Sequence, residues 1–198
     1  GSHAYLMTPM GADVLAIRQM YGTAATLRTD DTIYGTGSTA GDHYDHLGAL
    51  WTSMAALIVD DGGWDVLDVS GTTARQVIDL RPEAFSSVGG EEANLSIAPG
   101  TILEEARSGG GDDRLHGNAA DNRLLGGAGD DTLIGGPGND FLDGGAGVDT
   151  ARFFGRAQDY AITGSTLTAR VEGPEGIDVL ANVERLLFDD GEVLLPEA

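Results

Sequence analysis

Residues Gly126–Thr150 read GGAGDDTLIGGPGNDFLDGGAGVDT, with a glycine pair and an aspartate returning on a nine-residue beat. The beat extends outward in both directions. Asp113, Asn122, Asp131, Asp140 and Asp149 each stand nine residues after the last. The units are SGGGDDRLH, GNAADNRLL, GGAGDDTLI, GGPGNDFLD and GGAGVDTAR, and they occupy residues 108–152. Their common form is G-G-x-G-x-D-x-U-x, with U apolar. Leu115, Leu124, Leu133 and Leu142 fill U, and Ala151 ends the series. A glycine-rich linker does not keep leucine and aspartate in register through four or five units.

This nonapeptide is a known calcium-binding β-helix pattern, and its spacing has a physical logic. The last three residues form a short strand whose side chains alternate faces, so a single U points inward. The first six turn the chain. Glycine takes positive φ without penalty and lets backbone carbonyls point into the turn. Aspartate adds a carboxylate. Calcium takes about six to eight oxygens and accepts carbonyls and carboxylates alike. One turn supplies about half of such a shell. Two nonapeptides make one coil of a flattened roll, so turns 18 residues apart stack and an ion fits between them. Without the ion, stacked carboxylates repel and the glycines favour the unfolded chain, so metal supplies the folding energy.

Composition agrees. The chain has 198 residues and 41% hydrophobic residues, but only 6% aromatics, so its core is aliphatic. Glycine numbers 31, about twice the ordinary share, and thirteen of them lie between Gly109 and Gly147. The formal net charge is −21. Nucleic acid and anionic membranes are excluded as partners by repulsion. Bound divalent cations would neutralise that charge at fixed places. The absence of cysteine rules out disulfides and thiolate metal sites. No apolar run approaches the roughly 20 residues of a membrane span, and no N-terminal signal peptide is visible. The opening GSH is a tag remnant or native sequence; the residues do not decide which.

Beyond the repeats, DDGGWDVLDVSG (60–71), LRPEAFSSVGG (80–90), NLSIAPGTILEEA (94–106) and GNAADNRLLGGAGDD (117–131) resemble the C-terminal part of serralysin-type secreted zinc metalloproteases. TPMGADVLAIRQMYG (8–22) and TLRTDDTIYG (26–35) resemble the stretch after that family's catalytic domain. The residues themselves support a helix there. Thr8 is a sound N-cap and Pro9 suits N1; Met10, Val14, Ile17 and Tyr21 follow at helical spacing, and Gly22 is a C′ stop. LIVDD and DVLDVSG read as short strands about a Gly-Gly turn. The expected fold is all-β: a parallel roll of RTX repeats with calcium in the turns, one N-terminal helix and a C-terminal β cap. Its expected organisation is a helix segment over 1–25, a β region over 26–107, the roll over 108–152 and a capping and secretion module over 153–198.

The resemblance implies calcium positions. A first site would use the carbonyls of Arg28 and Asp30, then Thr32, Asp60, Gly62 and Asp65. A second would use Gly63, Asp65, the Ile102 carbonyl and Glu104. In the roll, Gly109, Gly111 and Asp113 would pair with Gly126, Ala128 and Asp131. Asn118, Ala120 and Asn122 would pair with Gly135, Pro137 and Asp140. Gly127, Gly129 and Asp131 would pair with Gly144, Ala146 and Asp149. Gly136, Gly138 and Asp140 would take a further ion if later residues close the shell. Five or more calcium ions follow. Asn122 is neutral, so its site should be weaker than its neighbours.

Protease activity in the family needs H-E-x-x-H-x-x-G-x-x-H, two histidines on one helical face for zinc and a glutamate to activate water. None of the four histidines, His3, His43, His46 and His116, sits in such a motif. No zinc is expected in this chain, and no catalytic residue. The catalytic helix would lie before residue 1. The spacing in HYDH (43–46) suits neither a helical pair nor a zincin. His116 ends a repeat and is expected to be solvated, while Trp51 and Trp64 read as core or turn packing residues and not as ligand contacts.

At the C-terminus, DYAITGSTLTARVEG alternates like a hairpin. GIDVLANVERLLFDDGEVL resembles a closing module, with Ile177, Val179, Leu180, Val183, Leu186, Leu187 and Phe188 as its expected core. A solenoid end exposes apolar strands and needs such a cap. The resemblance implies bacterial type I secretion to the extracellular medium, with the secretion machinery and an N-terminal protease catalytic domain as partners. Three readings follow. The first is a calcium-dependent folding and secretion domain, not itself an enzyme. The second is a fragment of an active zinc metalloendopeptidase whose catalytic part is a separate or removed chain. The third is a calcium-dependent binding or adhesion module.

Overall fold

A computed structural model describes residues 5–6, 28–40 and 54–198. The expected helix over 8–22, His3, His43, His46 and Trp51 lie outside the described residues.

The repeats set the architecture. Each supplies one short strand, and strands 18 residues apart pair in parallel: Arg123 with Phe141, Leu124 with Leu142, Thr132 with Thr150, Leu133 with Leu115. Alternate repeats therefore build opposite sheets. An eight-stranded sheet carries, in parallel, Ile33–Gly35, Val66–Asp68, Glu105–Arg107, Arg123–Ala128, Phe141–Ala146 and Gly176–Ala181. A six-stranded sheet carries, in parallel, Val77–Asp79, Arg114–His116, Thr132–Ile134, Thr150–Arg152 and Arg185–Phe188. The stacking continues past the repeats at both ends.

Each of these short strands contributes one inward side chain to a ladder through the core. On the first sheet the inward ladder is Tyr34, Leu67, Ala106, Leu124, Leu142 and Leu180; on the second it is Ile78, Leu115, Leu133, Ala151 and Leu186. All are buried and belong to one hydrophobic cluster. Every predicted U residue is among them, and the all-β parallel roll is borne out.

A third sheet of Tyr5–Leu6, Met54–Ile58, Leu95–Ile97 and Phe85–Ser86 stands beside the roll. LIVDD and DVLDVSG therefore feed different sheets: Met54–Ile58 joins the third and Val66–Asp68 the first. Ile58, Leu95 and Ile97 nevertheless reach the common core.

At the C-terminal end, Ala161–Gly164 and Thr168–Gly173 form an antiparallel hairpin that continues onto Gly176–Ala181. Gly191–Leu194 pairs antiparallel with Arg185–Phe188 and ends the other sheet. Phe153, Tyr160 and Phe188 close the core with ring centroids 5.1–5.6 Å apart, a common aromatic spacing. Leu180, Val183, Leu186 and Phe188 are buried as expected. Ile177 and Val179 are not; strand alternation about the inward Leu180 turns them outward, and each is 39% exposed. Leu187 is half-buried for the same reason. Among the described residues no helix is long and apolar enough to cross a membrane.

Candidate metal centre

The turn between strands brings the carboxylates together along two columns. In one column, backbone amides donate to the aspartate 18 residues on: Asp113 N to Asp131 Oδ1 at 2.8 Å and Asp131 N to Asp149 Oδ1 at 2.8 Å. The column starts at Gln76, whose amide donates to Asp113 Oδ1 at 2.6 Å, and ends at Glu184, whose Oε2 accepts from Asp149 N at 2.7 Å. In the other column Asn118 N donates to Asn122 Oδ1 at 2.6 Å, Asn122 N to Asp140 Oδ1 at 2.7 Å and Asp140 N to Asp178 Oδ1 at 2.8 Å.

Except at Asn122, where the acceptor is a carboxamide oxygen, each of these bonds occupies one carboxylate oxygen. The other, Oδ2 of Asp65, Asp113, Asp131, Asp140 and Asp149, is buried and met by no hydrogen-bond donor. A buried carboxylate oxygen without a donor is costly unless a proton or a cation compensates it. The acidities show that cost. Burial first, then the charges of Asp113 and Asp149, push Asp131 from 3.8 up to about 7. Burial and the neighbouring Asp178 and Asp121 push Asp140 to about 7. Burial is also the leading cause at Asp113, Asp149 and Asp178, each raised to about 6.

The glycines let the turns stack this closely. Gly127 has φ +100°, and a Cβ there would stand 2.2 Å from the Gly109 carbonyl oxygen, one coil back. Gly135 holds the Asp140 carboxylate against its Cα, where a Cβ would lie 2.1 Å from Oδ2. Carbonyl oxygens and carboxylates therefore crowd one small volume at each turn, an all-oxygen donor set that suits a hard cation such as calcium.

Before the roll, a second cluster forms. Thr32 N donates to Asp65 Oδ1 at 2.9 Å and Thr32 Oγ1 to the Asp30 carbonyl at 2.9 Å. Asp61 N donates to the Arg28 carbonyl at 3.1 Å, and Gly62 N to Asp60 Oδ1 at 3.1 Å. A Cβ on Gly63 would meet the Asp30 carbonyl carbon at 2.7 Å. Glu104 Oε2 accepts from Asp65 N at 2.7 Å. Burial, Asp60 and Glu104 raise Asp65 to about 7, and burial raises Glu104 as well. Arg28, Asp30, Thr32, Asp60, Gly62, Gly63, Asp65 and Glu104 thus share one region, where the Ile102 side chain is exposed.

The turns bring the repeat residues together as the spacing predicts: Ala128 N donates to Gly109 O at 2.8 Å, and Gly129 N to Ala146 O at 2.9 Å. Ser108 also donates to the Gly126 carbonyl. His116 departs from expectation. Its side chain is 15% exposed, beside Asp79 at 3.9 Å, and burial lowers its pKa. Trp64 is 45% exposed and donates from Nε1 to Glu105 Oε2 at 3.3 Å, so it is not a core residue. Among the described residues no three His, Cys, Asp or Glu side chains are placed to hold a metal ion by themselves, so carbonyls would have to complete any shell. Asp178 and Glu184 escaped the sequence reading because they follow Asp140 and Asp149 by 38 and 35 residues instead of 18.

Comparison with known proteins identifies a family. The family described as Peptidase M10 serralysin C terminal matches residues 23–190. Metalloprotease AprA of Pseudomonas entomophila is 38% identical over 119 residues, covering 60% of this chain and 24% of that protein. Serralysin of Proteus mirabilis is 42% identical over 123 residues, covering 61% of this chain and 25% of that protein. Metallopeptidase AprA of Pseudomonas marginalis is 41% identical over 120 residues. The chain spans about a quarter of the length of the relatives it matches.

Proposed function

The chain belongs to the Peptidase M10 serralysin C-terminal family, and from that premise we propose that it is a calcium-binding roll whose folding is driven by calcium outside the cell. The observation that carries this reading is the set of buried, donor-free Oδ2 atoms on Asp65, Asp113, Asp131, Asp140 and Asp149. Calcium bound there would supply the positive charge that these oxygens lack.

In the roll, Gly109, Gly111 and Asp113 with Gly126, Ala128 and Asp131 hold one ion. Asn118, Ala120 and Asn122 with Gly135, Pro137 and Asp140 hold another. Gly127, Gly129 and Asp131 with Gly144, Ala146 and Asp149 hold a third. Before the roll, Arg28, Asp30, Thr32, Asp60, Gly62 and Asp65 form one site, and Gly63, Asp65, Ile102 and Glu104 its neighbour. In a calcium-poor cytoplasm the charged turns stay unfolded, which suits export through a type I secretion channel. Calcium outside then folds the chain and stabilises the catalytic domain attached to its N-terminal side.

Circular dichroism with and without a chelator tests the reading. Chelation should remove most β-structure and millimolar calcium should restore it; a spectrum indifferent to calcium refutes calcium-driven folding.

A second reading keeps the protease. The relatives are named as metalloproteases and this chain spans about a quarter of their length, which supports a zinc-bearing catalytic part elsewhere in the parent protein. Intact-mass measurement of the native secreted protein tests this: a mass equal to the 198 residues alone would dismiss it.

A further inference from the structure

We propose that residues 173–181, GPEGIDVLA, are a sixth nonapeptide of the roll, separated from the fifth by residues 153–172, and that they complete a cation site with Gly136, Gly138 and Asp140. The inference rests on the calcium reading above and extends it to a segment that the nine-residue beat does not reach.

Four contacts that define the coil-to-coil stack recur at this segment. Gly111 N donates to Ala128 O and Gly129 N to Ala146 O, both at 2.9 Å; Gly138 N donates to Glu175 O at 2.9 Å. Asn122 N donates to Asp140 Oδ1 at 2.7 Å; Asp140 N donates to Asp178 Oδ1 at 2.8 Å. On the outer side, Val148 N donates to Asp130 Oδ1 at 2.9 Å and Asn139 N to Asp121 Oδ1 at 2.8 Å; Ile177 N donates to Asn139 Oδ1 at 3.1 Å. A Cβ on Gly129 would stand 2.3 Å from Gly111 O and one on Gly147 2.0 Å from Gly129 O; on Gly176, at φ +143°, it would stand 1.8 Å from Gly138 O.

The strand register agrees, since Val179 and Leu180 pair with Phe141 and Leu142 just as those pair with Arg123 and Leu124. Gly173, Gly176, Asp178 and Leu180 thus take the places of the first glycine, the later glycine, the aspartate and U. Pro174 stands where the second glycine would be. Residues 153–172 leave the roll, form most of the hairpin and return the chain in register.

A cap that merely covered an apolar end would need Leu180 and its neighbours. It would not need Asp178, which is only 2% exposed. Burying a carboxylate here adds desolvation and repulsion from Asp140, and a cation removes both. Asp140 Oδ2 is already buried and without a donor. Gly136, Gly138 and Asp140 contribute one half of the shell, and Glu175 through its carbonyl and Asp178 through its carboxylate contribute the other, an oxygen set of calcium type.

Native mass spectrometry of the 198-residue chain in calcium, compared with Asp178→Asn, tests the site. Asparagine keeps the acceptor for the Asp140 amide and removes the charge. The expected result is one calcium fewer in the variant. Equal, non-zero counts overturn this site while leaving the roll's calcium intact; no calcium in either protein overturns both. If the variant does not fold, hydrogen exchange on the unaltered chain decides. Amides of 173–181 should lose protection on chelation together with those of 126–149. Protection at 173–181 that survives while 126–149 opens overturns the sixth repeat.

Discussion

The amide of Asp113 donates to Oδ1 of Asp131 across 2.8 Å, one coil to the next. The bond fixes the orientation of the Asp131 carboxylate and leaves its Oδ2 buried without a donor. The same arrangement at Asp149, and at Asp140 in the other column, leaves carboxylates that hydrogen bonding aligns but does not neutralise.

Comparing Asp113→Ala with Asp131→Ala separates the hydrogen bond from the ion. Each variant strips one backbone amide of its acceptor, Gln76 N in the first and Asp113 N in the second, at about 1–3 kcal/mol. Of these two residues, only Asp131 borders two ions under the proposed sites. The calcium midpoint for folding, followed by circular dichroism, should therefore rise further for Asp131→Ala. Equal midpoints would mean that ions are not shared between coils.

Much of the fold was legible because the repeat fixes both the turn and the inward residue. Leu115, Leu124, Leu133, Leu142 and Ala151 were read from spacing alone, and all are buried. Asp178 and Glu184 were not legible, because spacing is a local signal and an insertion destroys it while hydrogen-bond register survives. Val179 was misjudged because a strand buries alternate residues, and counting apolar residues does not reveal which alternate set faces in. His116 was expected in solvent, but its neighbour Asp79 lies on a strand 39 to 37 residues earlier, at Val77–Asp79, which no repeat announces.

Close stacking predicts unequal costs for two glycine substitutions. Gly127 and Gly155 have nearly the same φ, +100° and +98°, so alanine is strained at both by about 1–2 kcal/mol. A Cβ on Gly155 meets nothing within 4 Å, whereas on Gly127 it would lie 2.2 Å from Gly109 O. Gly127→Ala should lower the melting temperature in saturating calcium well beyond Gly155→Ala. Matching melts would contradict the close approach of the two coils.

The inward ladder predicts a similar contrast among apolar residues. Leu133 is fully buried between Leu115 and Ala151, so Leu133→Ala should cost about 2–5 kcal/mol in calcium-saturated urea unfolding. Val179 faces outward, 39% exposed, and Val179→Ala should cost less than about 1 kcal/mol. A reversal of this order would show that the strands present the opposite faces to the core.

The raised acidities predict how protons and calcium compete. Asp65, Asp131 and Asp140 titrate at about 7 in the folded chain, and Asp113, Asp149 and Asp178 at about 6, against a usual 3.8. The folded state therefore holds more protons than the unfolded state between these values. Without metal, the stability these groups contribute is full below about 3.8 and is lost as pH rises through 6 to 7. Chelated protein should retain more β-structure at pH 5 than at pH 8. Where the chelated chain stays folded near pH 6, calcium must displace those protons and binding should release them; calcium added to the unfolded chain at pH 8 should release none. Circular dichroism titrations at the two pH values, and proton release measured in two buffers of different ionisation enthalpy, check both parts. A chelated chain that is better folded at pH 8 than at pH 5, or a folded chelated chain that binds calcium near pH 6 without releasing protons, would place the cation away from these carboxylates.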